Sequence, residues 1–379
     1  MSLRQKIVGL VLVCSSSVAC AALPTDGADY LRRTYDFDAP ALIGTGAGAS
    51  RSIRVPRIEG RITRHDIGLV INTADPYSVE VGAFYISARK LLESQVLRVR
   101  LPVRPTLMPE EFESFSAKVN LFFGVPVQAL VLAWTYPYAV SCNSITGALT
   151  LGYDAALCAN SCAASVASPY FNAASSKPYA RFRVRPSMLL AARDVGSAKA
   201  MIERGVAADG SLGLRGAAPV HAYYVTTGDT ARGVRQSLFP PPGLLLREGV
   251  DVHTEETPAI QNATRVLIYQ TGAVNVPRLD TIGWIPGALA DHLTSFGGRL
   301  EGGMGQMSVL DWIASGATAS YGTVSEPCAH PQKFPHPQVL LLNYLQGASA
   351  IEAYWKSVAW PRQGVFIGEP LAAPFSRTR

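Results

Sequence analysis

Three short, continuously apolar runs alternate with helical periods between residues 66 and 134, and no other feature constrains the fold as much. Residues 67–71 read IGLVI, with no polar side chain to turn toward water on either face. A run of that kind suits a strand buried on both sides, as in a parallel sheet covered by helices. Asp75-Pro76-Tyr77-Ser78 then breaks the chain. Ser78 is expected to cap a helix to about Leu92, with Val81, Phe84, Tyr85, Ala88 and Leu92 on one face. A second strand is expected over 96–103. Pro109 opens a helix with Phe112, Phe115, Val119 and Phe122 at helical spacing, and ALVLAW over 129–134 supplies a third strand.

Strand, helix, strand, helix, strand implies parallel strands joined by crossover helices. A second run follows the same logic. Strands are expected over 188–192, 220–226, 266–270 and 365–367, with an extended stretch over 318–324. Helices are expected over 197–207, 231–237, 307–314, 340–345 and 350–358. The fold class is therefore α/β, a mostly parallel sheet with helices on both faces. The organisation divides into residues 1–22, a lead-in over 23–64, a first α/β part over 65–186 and a second over 187–375. An excursion rich in Ala, Ser and Asn over 142–178 interrupts the first part.

Composition bounds the class of protein. Charged residues make up 16% and hydrophobic residues 48% of the 379, which excludes a disordered chain and leaves ample length for a core. The net charge of +6 is modest and forms no run. Arg51, Arg54, Arg57, Arg61 and Arg64 come closest, and they read as a solvated linker rather than a nucleic-acid arm. Arg4 and Lys6, the apolar stretch 7–13 and Ala19-Cys20-Ala21 read as a secretory signal peptide. That stretch is too short to span a bilayer, and no later segment is apolar enough to do so. Periplasmic or secreted location is expected, with Cys20 leaving lipidation as the alternative. Export leaves Cys142, Cys158, Cys162 and Cys328, an even count that favours disulfides without fixing their pairing.

Ligands in open parallel sheets bind beyond the carboxyl ends of strands. That rule selects Asn72, Thr73 and Asp75 after the first strand, Thr135 and Tyr136 after the third, and Thr271 after 266–270. The small-residue block 283–375 adds Trp284, Asp291, His292, Ser295, Tyr321 and Glu326. Asp75 also reads as a turn residue before Pro76. His292 and Ser295 form a candidate base and nucleophile, provided that a turn brings them together, since on a strand three residues apart they point to opposite faces. Cys328 and His330 form a second candidate pair, thiolate and base. Glu326, Cys328, His330 and His336 carry metal-ligand chemistry, but three prolines stiffen the segment and the spacing matches no zinc motif, so no metal and no cofactor are expected.

The runs GALADHLTSFGGRL, DWIASGATASYGTVSEPC and AYWKSVAWPRQGVFIGEPL resemble an uncharacterised bacterial family found with the exosortase sorting system, which processes proteins with PEP-CTERM tails. DIGLVINTADPYSVEVGAFYISARK and RPSMLLAARDVGSAKAMIERGVAADG match its upstream parts. The resemblance implies export and association with a peptide, a cell-surface protein or an exopolysaccharide component, without a demonstrated activity. A more distant resemblance is to gingipain-like cysteine peptidases of the caspase-fold clan, which have two α/β subdomains. Gly368-Glu369-Pro370 looks like their Gly-Asp-Pro ending, and residues 316–324 like the small-residue segment before it. Their catalytic His would fall within residues 269–273 and their Cys near Thr294-Ser295, and this chain has neither. The reading is a diverged or non-catalytic caspase-like protein that binds a peptide or surface component. The alternatives are a hydrolase built on Ser295 and His292 or on Cys328 and His330, and an envelope structural protein.

Overall fold

The alternation of apolar runs and helices produces one sheet of eleven strands in a computed structural model that describes residues 53–377, apart from Arg215 and Gly303. The segment expected to be a signal peptide and most of the expected lead-in lie outside the described residues. In chain order the strands are β1 (Ile67–Asn72), β2 (Val96–Val99), β3 (Thr106–Leu107), β4 (Ala129–Leu132), β5 (Ala139–Val140), β6 (Asn143–Ser144) and β7 (Ser187–Leu189). Then come β8 (Val220–Thr226), β9 (Gly243–Leu245), β10 (Val250–Glu256), β11 (Val266–Gly272), β12 (Trp284–Leu293), β13 (Ala319–Thr323) and β14 (Gly364–Gly368). The main sheet runs β2-β1-β4-β7-β14-β13-β12-β11-β8-β10-β9, and β3, β5 and β6 form a small second sheet. The two parts expected from the sequence share the main sheet: β7 pairs with β4 in parallel, Met188 opposite Val131. β1, β2 and β4 pair in parallel, as do β8, β10, β11, β12 and β13, while β13 meets β14 and β10 meets β9 antiparallel.

All six residues of β1 are buried, as its uninterrupted apolar run requires. Gly68 is the small residue in it because the Phe123 ring lies where a Cβ would go, 2.5 Å from the nearest ring atom. The first helix, α1 (Pro76–Arg89), buries Val81, Gly82 and Tyr85 over β1. Its N-cap is Asp75, whose Oδ1 accepts from the Tyr77 N–H at 3.0 Å, with Pro76 at the first helical position. Ser78, expected as the cap, is buried inside the helix, and its hydroxyl accepts from the Asn72 N–H at 2.8 Å. α2 (Pro109–Phe122) buries Phe112, Phe115 and Val119, and Glu111 accepts from the Met108 N–H ahead of it. α3 (Ile145–Leu151) begins at Ser144, whose Oγ accepts from the Gly147 N–H. α4 (Val195–Ala208) starts at Asp194, which caps the Ser197 N–H at 2.8 Å. α5 (Leu310–Ser315), α6 (Pro337–Leu345) and α7 (Ala350–Ser357) complete the covering layers.

Among the described residues ion pairs are sealed in the core, and two of them sit in dense hydrogen-bond networks. Glu369, just past β14, takes Arg89 Nε at 2.9 Å, Arg89 Nη2 at 2.6 Å and the Tyr85 hydroxyl at 2.9 Å. Gly205 of α4 makes room for it, since a Cβ there would fall 2.5 Å from the carboxylate. Asp291 of β12 takes Arg235 Nη1 at 2.6 Å and Gln270 Nε2 at 2.7 Å, and Arg235 also donates to the Thr271 and Pro335 carbonyls. A buried pair of this kind is tolerated only when its remaining hydrogen bonds are satisfied.

Two disulfides tie the 142–178 excursion, Cys142 to Cys158 and Cys162 to Cys328. Among the described residues, no helix is long and apolar enough to cross a membrane.

Candidate functional site

β1, β4 and β7 end side by side, and the chain that follows each of them lines one cavity of about 560 Å³. Asp75 and Tyr77 come from the turn after β1, Thr135 and Tyr136 from the segment after β4, and Ala192 and Arg193 from the segment after β7. The opposite wall is Leu300, Glu301, Gln306, Ser308, Leu310 and Asp311, from the loop after β12 and the start of α5. This is the position that strand polarity assigns to ligands in a parallel sheet.

The wall is fixed by hydrogen bonds. The Tyr77 hydroxyl donates to the Leu190 carbonyl at 2.8 Å and accepts from the Ala192 N–H at 2.9 Å. Thr135 Oγ1 donates to the Ala192 carbonyl at 2.9 Å, so the ends of β4 and β7 are stitched together. Burial raises the Tyr77 hydroxyl well above the ordinary tyrosine range, which keeps it neutral. Gln306 anchors the far loop, its Oε1 accepting from Thr294 Oγ1 at 2.7 Å and from the Phe296 N–H at 2.9 Å. Tyr138 donates to Glu301 Oε1 at 2.8 Å across 163 residues of sequence.

Three carboxylates, Asp75, Glu301 and Asp311, line the space. Among the described residues Arg193 is its one basic side chain, and it is paired with Asp311. Burial pushes the Asp75 carboxyl up, partly offset by the Tyr77 and Ser78 N–H groups that cap it. Asp75 thus caps α1, in place of Ser78, and also lines the cavity. The wall holds neither Cys nor His among the described residues, so no nucleophile there has an imidazole beside it.

The other sequence candidates lie elsewhere. His292 is 1% exposed on β12, and both ring nitrogens are occupied. Nδ1 accepts from the Trp312 indole N–H at 2.9 Å, which places the ring proton on Nε2, and Nε2 donates to the Met307 carbonyl at 3.1 Å. Burial drives its pKa down to about 3. His292 therefore has no lone pair to offer Ser295, and the base and nucleophile expected there are not a pair. His292 lies within β12, while Ser295 lies in the bend beyond the end of that strand. The thiol expected at Cys328 is bonded to Cys162, so neither a Cys328–His330 dyad nor a metal ligand exists there. His330 Nε2 donates instead to the Cys162 carbonyl at 3.0 Å, and Glu326 Oε1 accepts from the Cys328 N–H at 2.8 Å.

Thr271, Trp284 and Tyr321, expected as binding residues, do not line this cavity. Thr271 Oγ1 donates to the Val225 carbonyl inside the sheet at 3.1 Å. Trp284 sits at the amino end of β12, its indole donating to Ser315 Oγ at 3.1 Å, and Gly316 leaves room for its ring. Tyr321 is fully buried and donates to the Lys333 carbonyl.

The rule of strand carboxyl ends did reach Asp75, Thr135 and Tyr136. Arg193 follows a predicted strand and was accessible to the same rule. Glu301, Gln306 and Asp311 carry no such signal, because they enter from a loop that crosses from the other half of the sheet. The chain matches no family model, and no curated protein matches it either.

Proposed function

We propose that this is an exported binding protein of the exosortase-associated kind, a non-catalytic member of the caspase-like architecture. Its cavity beyond β1, β4 and β7 receives a peptide segment or another cell-surface component that carries positive charge. The observation that supports this most is the wall itself: three carboxylates against one arginine, which pairs with Asp311 and leaves Asp75 and Glu301 in excess, with no Cys or His among the described lining residues. A cationic group entering there gains attraction from carboxylates held in a partly desolvated space, where charges act more strongly than in water. The occupied nitrogens of His292 and the bonded sulfur of Cys328 argue against the hydrolase alternatives. The two disulfides suit an oxidising compartment such as the periplasm or the exterior.

A fluorescently labelled extended peptide bearing lysines, and the same peptide with glutamates in their place, test the reading. The basic peptide is expected to bind and to be recovered uncut. The double variant Asp75→Asn, Glu301→Gln should weaken it about tenfold, the equivalent of ~1.4 kcal/mol. Equal affinity for both peptides, or cleavage of either, would contradict the proposal.

A further inference from the structure

A second cluster of polar side chains lies on β8 and β10, away from the cavity wall. The segments His221-Ala222-Tyr223 and Asp251-Val252-His253 alternate as strands must. Ala222 and Val252 are buried, so the flanking residues share the opposite, half-buried face. The parallel register sets His221 beside Asp251 and Tyr223 beside His253. Two imidazoles and a carboxylate therefore meet across neighbouring strands. His221 Nδ1 and His253 Nε2 are 3.0 Å apart, and His253 Nε2 is 3.5 Å from Asp251 Oδ2. One donor atom from each of the three lies within 4.8 Å of the others.

We propose that His221, Asp251 and His253 form a binding site for a first-row divalent metal ion, zinc by preference. Tetrahedral zinc with Zn–N bonds of ~2.0–2.1 Å holds neighbouring donor atoms roughly 3.3 Å apart, close to the spacing found here. Two nitrogens to one oxygen favour zinc or copper over calcium or magnesium, which take oxygen shells. The donors sit on paired strands, so their spacing is set by the sheet rather than by a loop. The Tyr223 ring stacks on His253, centroids 4.7 Å apart and planes 16° from parallel, which fixes the orientation of that imidazole. The His253 and Asp251 side chains are 30% and 33% exposed, leaving an ion a further position open to water or to a group from outside. A purely polar surface cluster would need only the hydrogen bond between the two rings; the third donor and the shared focus are what a metal adds a reason for.

The remaining histidines do not compete for this geometry. His292 and His336 are buried, His330 is turned to the Cys162 carbonyl, and the exposed His65, which accepts from Arg64 Nε at 3.3 Å, belongs to no cluster of three such donors among the described residues. Uptake of zinc by the full chain, prepared without a polyhistidine tag and stripped with chelator, is the direct test. One equivalent should bind at roughly micromolar free ion or below. Cobalt in its place should give the visible bands of a four-coordinate ion, and excess calcium should not displace it. His221→Ala and His253→Ala should each weaken zinc binding about 100-fold, and the isosteric Asp251→Asn about tenfold, on the scale of losses seen when metal-site groups are removed. Far-UV circular dichroism checks that each variant is folded, and Asp251→Asn preserves shape should an alanine variant fail. No uptake, or uptake of the same strength in the folded His221→Ala and Asp251→Asn variants, overturns the proposal.

Discussion

His292 and His336 enter the core uncharged, each giving up a proton that its ring would bind in the unfolded chain at acid pH. Burial is the main cause for both, lowering His292 to about 3 and His336 to about 4. An unfolded histidine titrates near ~6.5, so the folded values lie below the unfolded one. The stability they contribute is therefore complete above pH ~6.5 and is lost as pH falls through the window toward the folded values. At pH 5 the loss for each ring is about 2 kcal/mol, from a unit and a half of pH at ~1.4 kcal/mol per unit. Glutamine at position 292 can accept from Trp312 and donate to the Met307 carbonyl without titrating. Urea unfolding at pH 7 and pH 5 should show His292→Gln losing about 2 kcal/mol less than the native chain between the two pH values. An unchanged pH dependence would mean that His292 is not held neutral in the folded state.

The elements most legible in the sequence were those with a period to read. β1, β4, β8 and β11, and helices α1, α2 and α4, lie within a few residues of where apolar spacing puts them. β10 was not legible, because VDVHTEE places polar residues on a half-exposed face beside an edge strand and its outer end is exposed. β12 was not among the expected strands, for the opposite reason. Pro286 and Gly287 interrupt its apolar run, yet seven of its residues are buried between β11 and β13. With no strand expected there, His292 and Ser295 were open to pairing through a turn. The disulfides belong to this scale too, and they differ in what they close. Cys142–Cys158 spans 16 residues and Cys162–Cys328 spans 166. Loop-closure entropy assigns about 3 kcal/mol to the first and about 5 kcal/mol to the second. Denaturation of the Cys142→Ser/Cys158→Ser and Cys162→Ser/Cys328→Ser variants should therefore show the larger loss in the second, and the reverse order would show that native contacts, not chain closure, set their worth.

At the scale of the molecule, the sheet is drawn from both halves of the sequence, and β14 lies between them, flanked by β7 and β13. All five of its residues are buried, and Trp355 stacks on its Phe366 with ring centroids 4.3 Å apart. Glu369 directly after it receives Arg89 from α1, so the end of the chain also ties down the first helix. A chain stopped at Gln363 keeps every other strand but loses this seam. It should elute as an expanded or aggregated species on gel filtration, with much of its tertiary signal gone, whereas removal of the last two residues alone should leave the elution volume unchanged.

The order of strands has a consequence for the timing of synthesis. The two halves of the sheet are made long before the strand that joins them, and until residues 364–368 emerge, β7 and β13 each present an open edge able to pair with another chain. A nascent chain of this design cannot close its core until residues 364–368 have emerged, which leaves those two edges in need of shielding until then.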